Sequence, residues 1–283
     1  MNILTIDLED WFHILANDAT ASPAQWEKFE SRIERNADWI LDQLAQHQCR
    51  ATFFCLGWIA QRHPALVKKI SRQGHEVASH SMNHQLVYSQ SPLEFKADLQ
   101  ECLHLLEDIT GTRIKTYRAP GFSVSEKTNW VFDILIESGI ENDCSVFPAN
   151  RNHGGYRNFL SSEPCIISMN GRQLKEFPVS LSHFAGKGFV YSGGGYFRLL
   201  PYPLIKKLMR RQAYVMTYFH PRDFDEGQPV LESLTAKRRL MSYVGLQRAK
   251  KKFGQLLIDF EFTNVEGAAQ KIAWNRCKVI PLH

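Results

Sequence analysis

No segment of this 283-residue chain approaches the ~20 consecutive apolar residues of a membrane-spanning helix. It contains no internal repeat, no low-complexity tract and no CxxC pair among its six cysteines, Cys49, Cys55, Cys102, Cys144, Cys165 and Cys277. Thiols scattered in this way exclude a disulfide scaffold or a zinc ribbon, and reduced, mostly buried cysteines are expected. The first residues lack both the basic start and the long apolar core of an export signal, so a cytoplasmic location is expected. Charged residues make up 22% and apolar residues 44%, which excludes disorder. The length supplies a core that needs no metal or disulfide staple. A single domain over residues 1–283 follows.

The net charge of +5 is unevenly placed. Residues 201–283 carry 15 Lys+Arg against 7 Asp+Glu, while the first 200 residues are net acidic. The basic clusters are Lys206-Lys207, Arg210-Arg211, Lys237-Arg238-Arg239 and Lys250-Lys251-Lys252. Most such clusters are solvated helix faces. The functional alternative is attraction to an anion: a sugar-linked diphosphate or an anionic membrane surface. No nucleic-acid-binding motif accompanies the charge.

Along the chain, apolar runs alternate with amphipathic stretches. Ile3–Asp7, Ala51–Leu56, His75–Ser79, Lys115–Arg118, Ile140–Asp143 and Tyr214–Phe219 read as strands. Helices are expected from Ser22-Pro23 through Leu44, from Ile59 to Gly74, from the capping box at Ser91 to Gly111, and from Ser125 to Gly139. Further helices are expected near Leu204–Arg211 and as one long basic segment to about Leu257. Asn170-Gly171 between Cys165–Ser168 and Leu174–Val179 is a hairpin signal, and Gly193-Gly194-Gly195 marks a loop. Repeated βα units predict an α/β fold with a parallel sheet, in which chemistry sits at the carboxyl ends of the strands.

Those ends are rich in reactive groups. Strand one leads into Asp7-Leu8-Glu9-Asp10, strand three into His80-Ser81-Met82-Asn83-His84, strand four into Arg118-Ala119-Pro120-Gly121, strand five into Asp143, and the late strand into His220-Pro221. A spacing of four places His80 and His84 on one side of a helical turn, where both reach one metal ion. Two histidines and one carboxylate leave open positions on zinc or a related ion. Hydrolysis needs a second, free carboxylate as base, and Asp7 suits that part. Asp10 or Glu9 is then the metal carboxylate; Glu9 shares a strand face with Asp7, while Asp10 lies past the strand end. Arg118 is expected to pair with Asp143. His220 fits a general acid.

Together these motifs resemble the NodB-type polysaccharide deacetylases, in order and spacing from Thr5 to Pro221. The resemblance implies a distorted, incomplete (β/α) barrel, here with an inserted β-hairpin region. It implies metal-dependent hydrolysis of an N-acetyl group on an acetamido sugar, releasing acetate. Asp7 would be the base, His220 the acid, Arg118 and Asp143 the orienting pair, and His80, His84 and one acid the ligands of a divalent metal, expected to be zinc. A backbone N–H near Arg118 would help hold the oxyanion. The family's first motif has two adjacent Asp; here Leu8-Glu9 intervene. The form Asp7-Leu8-Glu9-Asp10-Trp11, with Gly193–Arg198 downstream, resembles a subgroup linked to bacterial cell-surface or exported polysaccharide synthesis. A cytoplasmic enzyme would meet a precursor, so the expected partner is an N-acetylated sugar, diphosphate-linked, with Arg198 as first candidate for the phosphates, no nucleic acid, and peripheral membrane contact at most. The rivals are a metal-independent cyclic-ureide amidohydrolase on this fold and a catalytically silent carbohydrate-binding protein.

Overall fold

A computed structural model describes residues 1–15, 17–149, 154–184 and 187–282. Its centre is an eight-stranded sheet in the spatial order Val279–Pro281, Cys165–Met169, Arg172–Glu176, Asn142–Asp143, Thr116–Tyr117, Glu76–Ser79, Thr52–Cys55, Thr5–Leu8. All neighbours run parallel except the hairpin Cys165–Met169/Arg172–Glu176. Asn170 (φ 51°) and Gly171 (φ 75°) give that hairpin its left-handed turn. Thr5–Leu8 and Thr52–Cys55 are buried at every position. Parallel strands covered on both faces demand this. The covering helices Ile33–Gln46, Pro64–Arg72, Pro92–Thr110 and Trp130–Glu137 share one core with them.

The sheet curls beyond Thr5–Leu8. Asp7 N donates to Phe219 O (2.8 Å) and Phe219 N to Thr5 O (3.1 Å), while Asn2–Ile3 pairs parallel with Val215–Met216. Toward the far side, Met216 N donates to Ser180 Oγ (2.6 Å) and Tyr214 Oη to Pro178 O (2.8 Å). Side chains thus bridge where a continuous ladder would close a barrel. The architecture is the distorted, incomplete (β/α) barrel anticipated, with its hairpin insertion.

Three helical expectations are corrected. The stretch from Ser22 to Leu44 is two helices, Pro23–Trp26 and Ile33–Gln46. Asp10 explains the break: its Oδ2 accepts from Arg32 N (2.9 Å) and Ser31 Oγ (2.6 Å), so the second helix starts on a buried carboxylate. The segment after Cys55 splits at Pro64 into Gly57–Arg62 and Pro64–Arg72. The long basic helix splits into Ala236–Tyr243 and Leu246–Asp259 at Gly245 (φ 70°). A Cβ there would come within 2.4 Å of Arg198 O. The glycine run expected as a loop opens the helix Gly194–Leu199. All six cysteines are free, four of them buried.

Candidate functional site

Because the strands are parallel, their carboxyl ends share one rim. Asp7 sits in the first strand and Glu9 just past it, two residues on, so both side chains emerge on the same side. His80 follows Glu76–Ser79, Arg118 follows Thr116–Tyr117, and His220 follows the segment bridged to Ile6. The rim encloses a cleft of about 520 Å³, lined among others by Asp7, Glu9, His84, His220 and Arg222.

Glu9 is the hub. Its Oε1 lies 2.9 Å from both His80 Nε2 and His84 Nε2. All three side chains are buried. Burial alone would raise the Glu9 carboxyl, but the charge of His84 and hydrogen bonds from both imidazoles hold it well below the carboxylate range. Asp10 is not part of this group. Its carboxylate is spent on Trp11 N (2.8 Å), Ser31 and Arg32, facing the helix start. Of the two acids left open by the sequence, the structure brings Glu9 to the histidines.

His80 and His84 do not lie on a helical turn, as their spacing suggested. They bracket an irregular loop in which Ser81 (φ 66°) and His84 (φ 53°) take left-handed backbone. Asp98 clamps the loop, accepting from Met82 N (2.7 Å) and Asn83 N (3.1 Å), and Ser81 Oγ accepts from His84 N (3.0 Å).

The donor set fits a metal. His80 Nδ1 lies 2.8 Å from the Arg118 carbonyl oxygen, which can only accept, so that nitrogen carries the proton. In the neutral ring Nε2 is then a lone pair facing a carboxylate oxygen. That is the form in which a histidine binds a metal, and an outer carbonyl fixing the ring is the usual support of a histidine ligand; a ring protonated at both nitrogens donates to Glu9 instead. Glu9, His80 and His84 form one candidate metal cluster; Asp7, Glu9 and His220 form an overlapping one.

Asp7 Oδ1 accepts from Arg118 Nη1 (2.6 Å), and the same nitrogen donates to Thr5 Oγ1 (2.7 Å). Arg118 is fully buried. Its expected partner Asp143 is elsewhere. Asp143 accepts from Ser145 Oγ (2.6 Å) and pairs with the carboxyl of Glu176. Burial raises both acids, and the charge of Asp143 pushes Glu176 further up, so the pair holds a proton between them. Arg118 therefore orients Asp7 directly, without Asp143.

His220 completes the site. Its backbone N donates to Asp223 Oδ2 (2.9 Å), its Nδ1 lies 3.1 Å from the same oxygen, and its Nε2 lies 3.7 Å from Asp7 Oδ2. Burial alone would lower the imidazole. Asp223, by hydrogen bond and charge, then Glu9 and Asp7, push it up to about 9. Asp223 is opposed by burial but held at about 2 by Arg198 and His220.

One further expectation is corrected and another is narrowed. Arg198, proposed from sequence to meet phosphates, is buried and committed. Its Nε faces Asp223 Oδ1 (3.0 Å), Nη1 donates to Ser242 O and Val244 O, and Nη2 to Met241 O. The backbone N–H groups expected near Arg118 are also spent: Arg118 N on Ser79 O (3.0 Å), Ala119 N on Ser145 Oγ (2.8 Å). The next residue with an amide N–H, Gly121, lines the cleft.

Asp223, Thr5, Glu176 and His13 were not singled out from sequence. Asp223 had a signal, an acid three residues after a strand-end histidine. His13 lines the cleft beside His84; its Nδ1 accepts from Asp10 N (2.9 Å), and burial holds it neutral.

Residues 22–135 match the family model described as "Polysaccharide deacetylase", and residues 144–270 match a domain of unknown function, DUF3473. A peptidoglycan-N-acetylglucosamine deacetylase of Bacillus cereus is 31% identical over 102 residues, 36% of this chain and 46% of that protein. A chitooligosaccharide deacetylase of Rhizobium leguminosarum bv. trifolii is 51% identical over 45 residues, 16% of this chain and 21% of that protein. The chain thus spans less than half the length of these relatives. The crystal structure of a Mycobacterium smegmatis protein, provisionally named a polysaccharide deacetylase, superposes with a TM-score of 0.66 at 20% identity, covering 100% of this chain and 92% of that one. That likeness establishes the fold.

Proposed function

We propose that this chain, whose residues 22–135 match the polysaccharide deacetylase model, acts as a member of that family and hydrolyses the N-acetyl group of an acetamido sugar, releasing acetate and the free amine. The observation that carries the reading is the placement of Asp7 between Arg118 and His220 beside the Glu9–His80–His84 cluster. Glu9, His80 and His84 would hold a divalent metal; two nitrogens and one oxygen with open positions suit zinc. When bound, such an ion supplies polarisation of the acetamide carbonyl and acidification of water.

The chain's own groups then divide the proton work. Asp7, aimed by Arg118, takes the proton of the attacking water at Oδ2. His220, protonated through Asp223, gives its Nε2 proton to the departing nitrogen, which otherwise is a very poor leaving group. Phe122, Phe147 and Tyr218 line the cleft and offer apolar faces to the sugar ring and the acetyl methyl. The working unit is the whole of residues 1–283: Asp7 and Glu9 precede the first matched segment, and His220 lies in the second. No helix among the described residues is long and apolar enough to cross a membrane. A cytoplasmic reaction on a precursor sugar is part of the proposal, and its diphosphate form rests on cations other than Arg198.

The test is acetate release from N-acetylated oligosaccharides by metal-loaded and metal-stripped protein, with metal content measured alongside. His80→Ala should lose both metal and activity and keep the fold. Stoichiometric zinc in a His80→Ala/His84→Ala double variant would refute the metal assignment.

A further inference from the structure

We infer that Asp98 and Gly57 are positioning residues of the metal site: from two helices they hold the loop His80–His84 in the backbone shape that brings both imidazoles to Glu9, and so they set the affinity for the ion. The inference rests on Glu9, His80 and His84 as the metal ligands. Neither Asp98 nor Gly57 lines the cleft.

The loop does not hold itself. Two of its non-glycine residues take left-handed backbone, Ser81 (φ 66°) and His84 (φ 53°). One of these is a ligand and the other follows a ligand. Such conformations persist only where the surroundings over-determine them. At the start of the loop, His80 N donates to Cys55 O (3.0 Å). On one side the helix Gly57–Arg62 begins. Its first amides, which have no acceptor within the helix, are spent on the loop: Gly57 N on Ser81 O and Trp58 N on Met82 O, both at 2.9 Å. On the other side stands Asp98 of the helix Pro92–Thr110, taking Met82 N at Oδ2 (2.7 Å) and Asn83 N at Oδ1 (3.1 Å). A carboxylate offers an acceptor oxygen to each of two successive amides; a carboxamide would turn its NH2 against one of them. The approach of the first helix is equally restrictive, because a Cβ on Gly57 would stand 2.9 Å from Met82 Cα. The loop backbone is thus gripped from both sides between its two histidines. An ion that meets ligands already in place loses none of its affinity to ordering them. Groups that orient metal ligands are worth about 10- to 100-fold in affinity.

The experiment measures the zinc dissociation constant of the folded chain by competition with a chromogenic chelator. Cobalt(II) is the second probe, since its visible absorption reports coordination geometry. Asp98→Asn and Gly57→Ala should each weaken zinc by about 10- to 100-fold and alter the cobalt spectrum, with circular dichroism unchanged. Alanine favours a helix over glycine, so a loss in Gly57→Ala does not come from a weaker helix. Ile280, buried in the strand Val279–Pro281 at the other edge of the sheet, controls for lost stability: Ile280→Ala should melt lower and keep the wild-type affinity. Ser81→Ala, which removes the acceptor of His84 N, carries the test if Asp98→Asn does not fold, and should weaken zinc likewise. Wild-type zinc affinity in the folded loop variants, with only their melting temperatures lowered, makes the grip purely structural; it overturns the inference and leaves the metal assignment standing. A loss in Ile280→Ala equal to theirs overturns it as well. A wild-type chain that takes up neither zinc nor cobalt overturns the metal assignment and the inference together.

Discussion

Replacing Asp223 by Asn isolates the device that keeps His220 protonated. Asp223 Oδ2 accepts from both the backbone N and Nδ1 of His220, at 2.9 and 3.1 Å. The rise of His220 from its ordinary 6.5 to about 9 favours the imidazolium by about 3 kcal/mol. Asn keeps the shape and removes the charge. Burial, which alone lowers His220, then acts with less opposition, and the imidazole returns to 6.5 or below. At pH 8 a group titrating at 9 is about 90% protonated, and one titrating at 6.5 about 3%. The variant should therefore lose roughly 30-fold in kcat/KM at pH 8 and little of that at pH 6, with its alkaline limb displaced by two pH units or more. A metal held by Glu9 cancels the pull of that carboxylate and lowers both limbs together, leaving their separation. Stability follows the same sign. The folded state holds the raised proton, so the contribution is complete below 6.5 and is lost as the pH rises through 9. The melting-temperature gap between wild type and variant should narrow above that point, and what remains reports the lost pairing of Asp223 with buried Arg198. The assay is acetate release over pH 5–10, with the His220 ring proton followed by NMR. Coincident alkaline limbs in the two proteins would refute the reasoning.

Asp7→Asn should retain metal and lose on the order of 10² to 10⁴ in turnover, checked by acetate release beside metal analysis; near-normal turnover would move the base to another carboxylate. Glu9→Gln should lose the metal, whereas Asp10→Asn should keep it and cost about 1 kcal/mol in urea unfolding as a helix start is weakened; the reverse pattern would restore Asp10 as ligand. Glu176→Gln should gain stability over wild type as pH rises above 4.5, because wild-type Glu176 must hold a proton that its unfolded form has released; thermal melts at pH 4 and 8 decide it.

The sequence carried much of this because parallel strands end on one rim, so five strand ends rich in acids, histidine and arginine had to meet. The βα alternation was legible for the same reason: strands buried on both faces read as continuous apolar runs. Illegible were partnerships set by packing. Arg118 precedes Asp143 by one strand, which suggested a pair, yet Arg118 reaches back to Asp7 and Thr5 in the first strand. The commitment of Arg198 depends on three carbonyls at the end of a helix that Gly245 breaks, and no pattern in Gly193–Arg198 announces them. Asp10 and Glu9 differ only in which one the chain turns toward the helix start at Ser31-Arg32. Helix breaks at Pro64 and Gly245 were readable from residue type; the break before Ile33 was not.

The first strand is held on one side by Thr52–Cys55 and on the other by Phe219, more than 200 residues later in the chain. Its second edge cannot form until that late segment has been synthesised and has closed a loop of that length. Each doubling of loop length adds only about 0.6 kcal/mol, so the delay costs little at equilibrium, but high contact order slows the search. Asp7 and His220 sit on the two sides of that seam. On the proposed reading, a nascent or truncated chain that already holds Glu9, His80 and His84 would gather a metal and still lack His220, the proposed proton donor. Activity should then be gained in the last folding step, with refolding traces showing metal uptake ahead of acetate release.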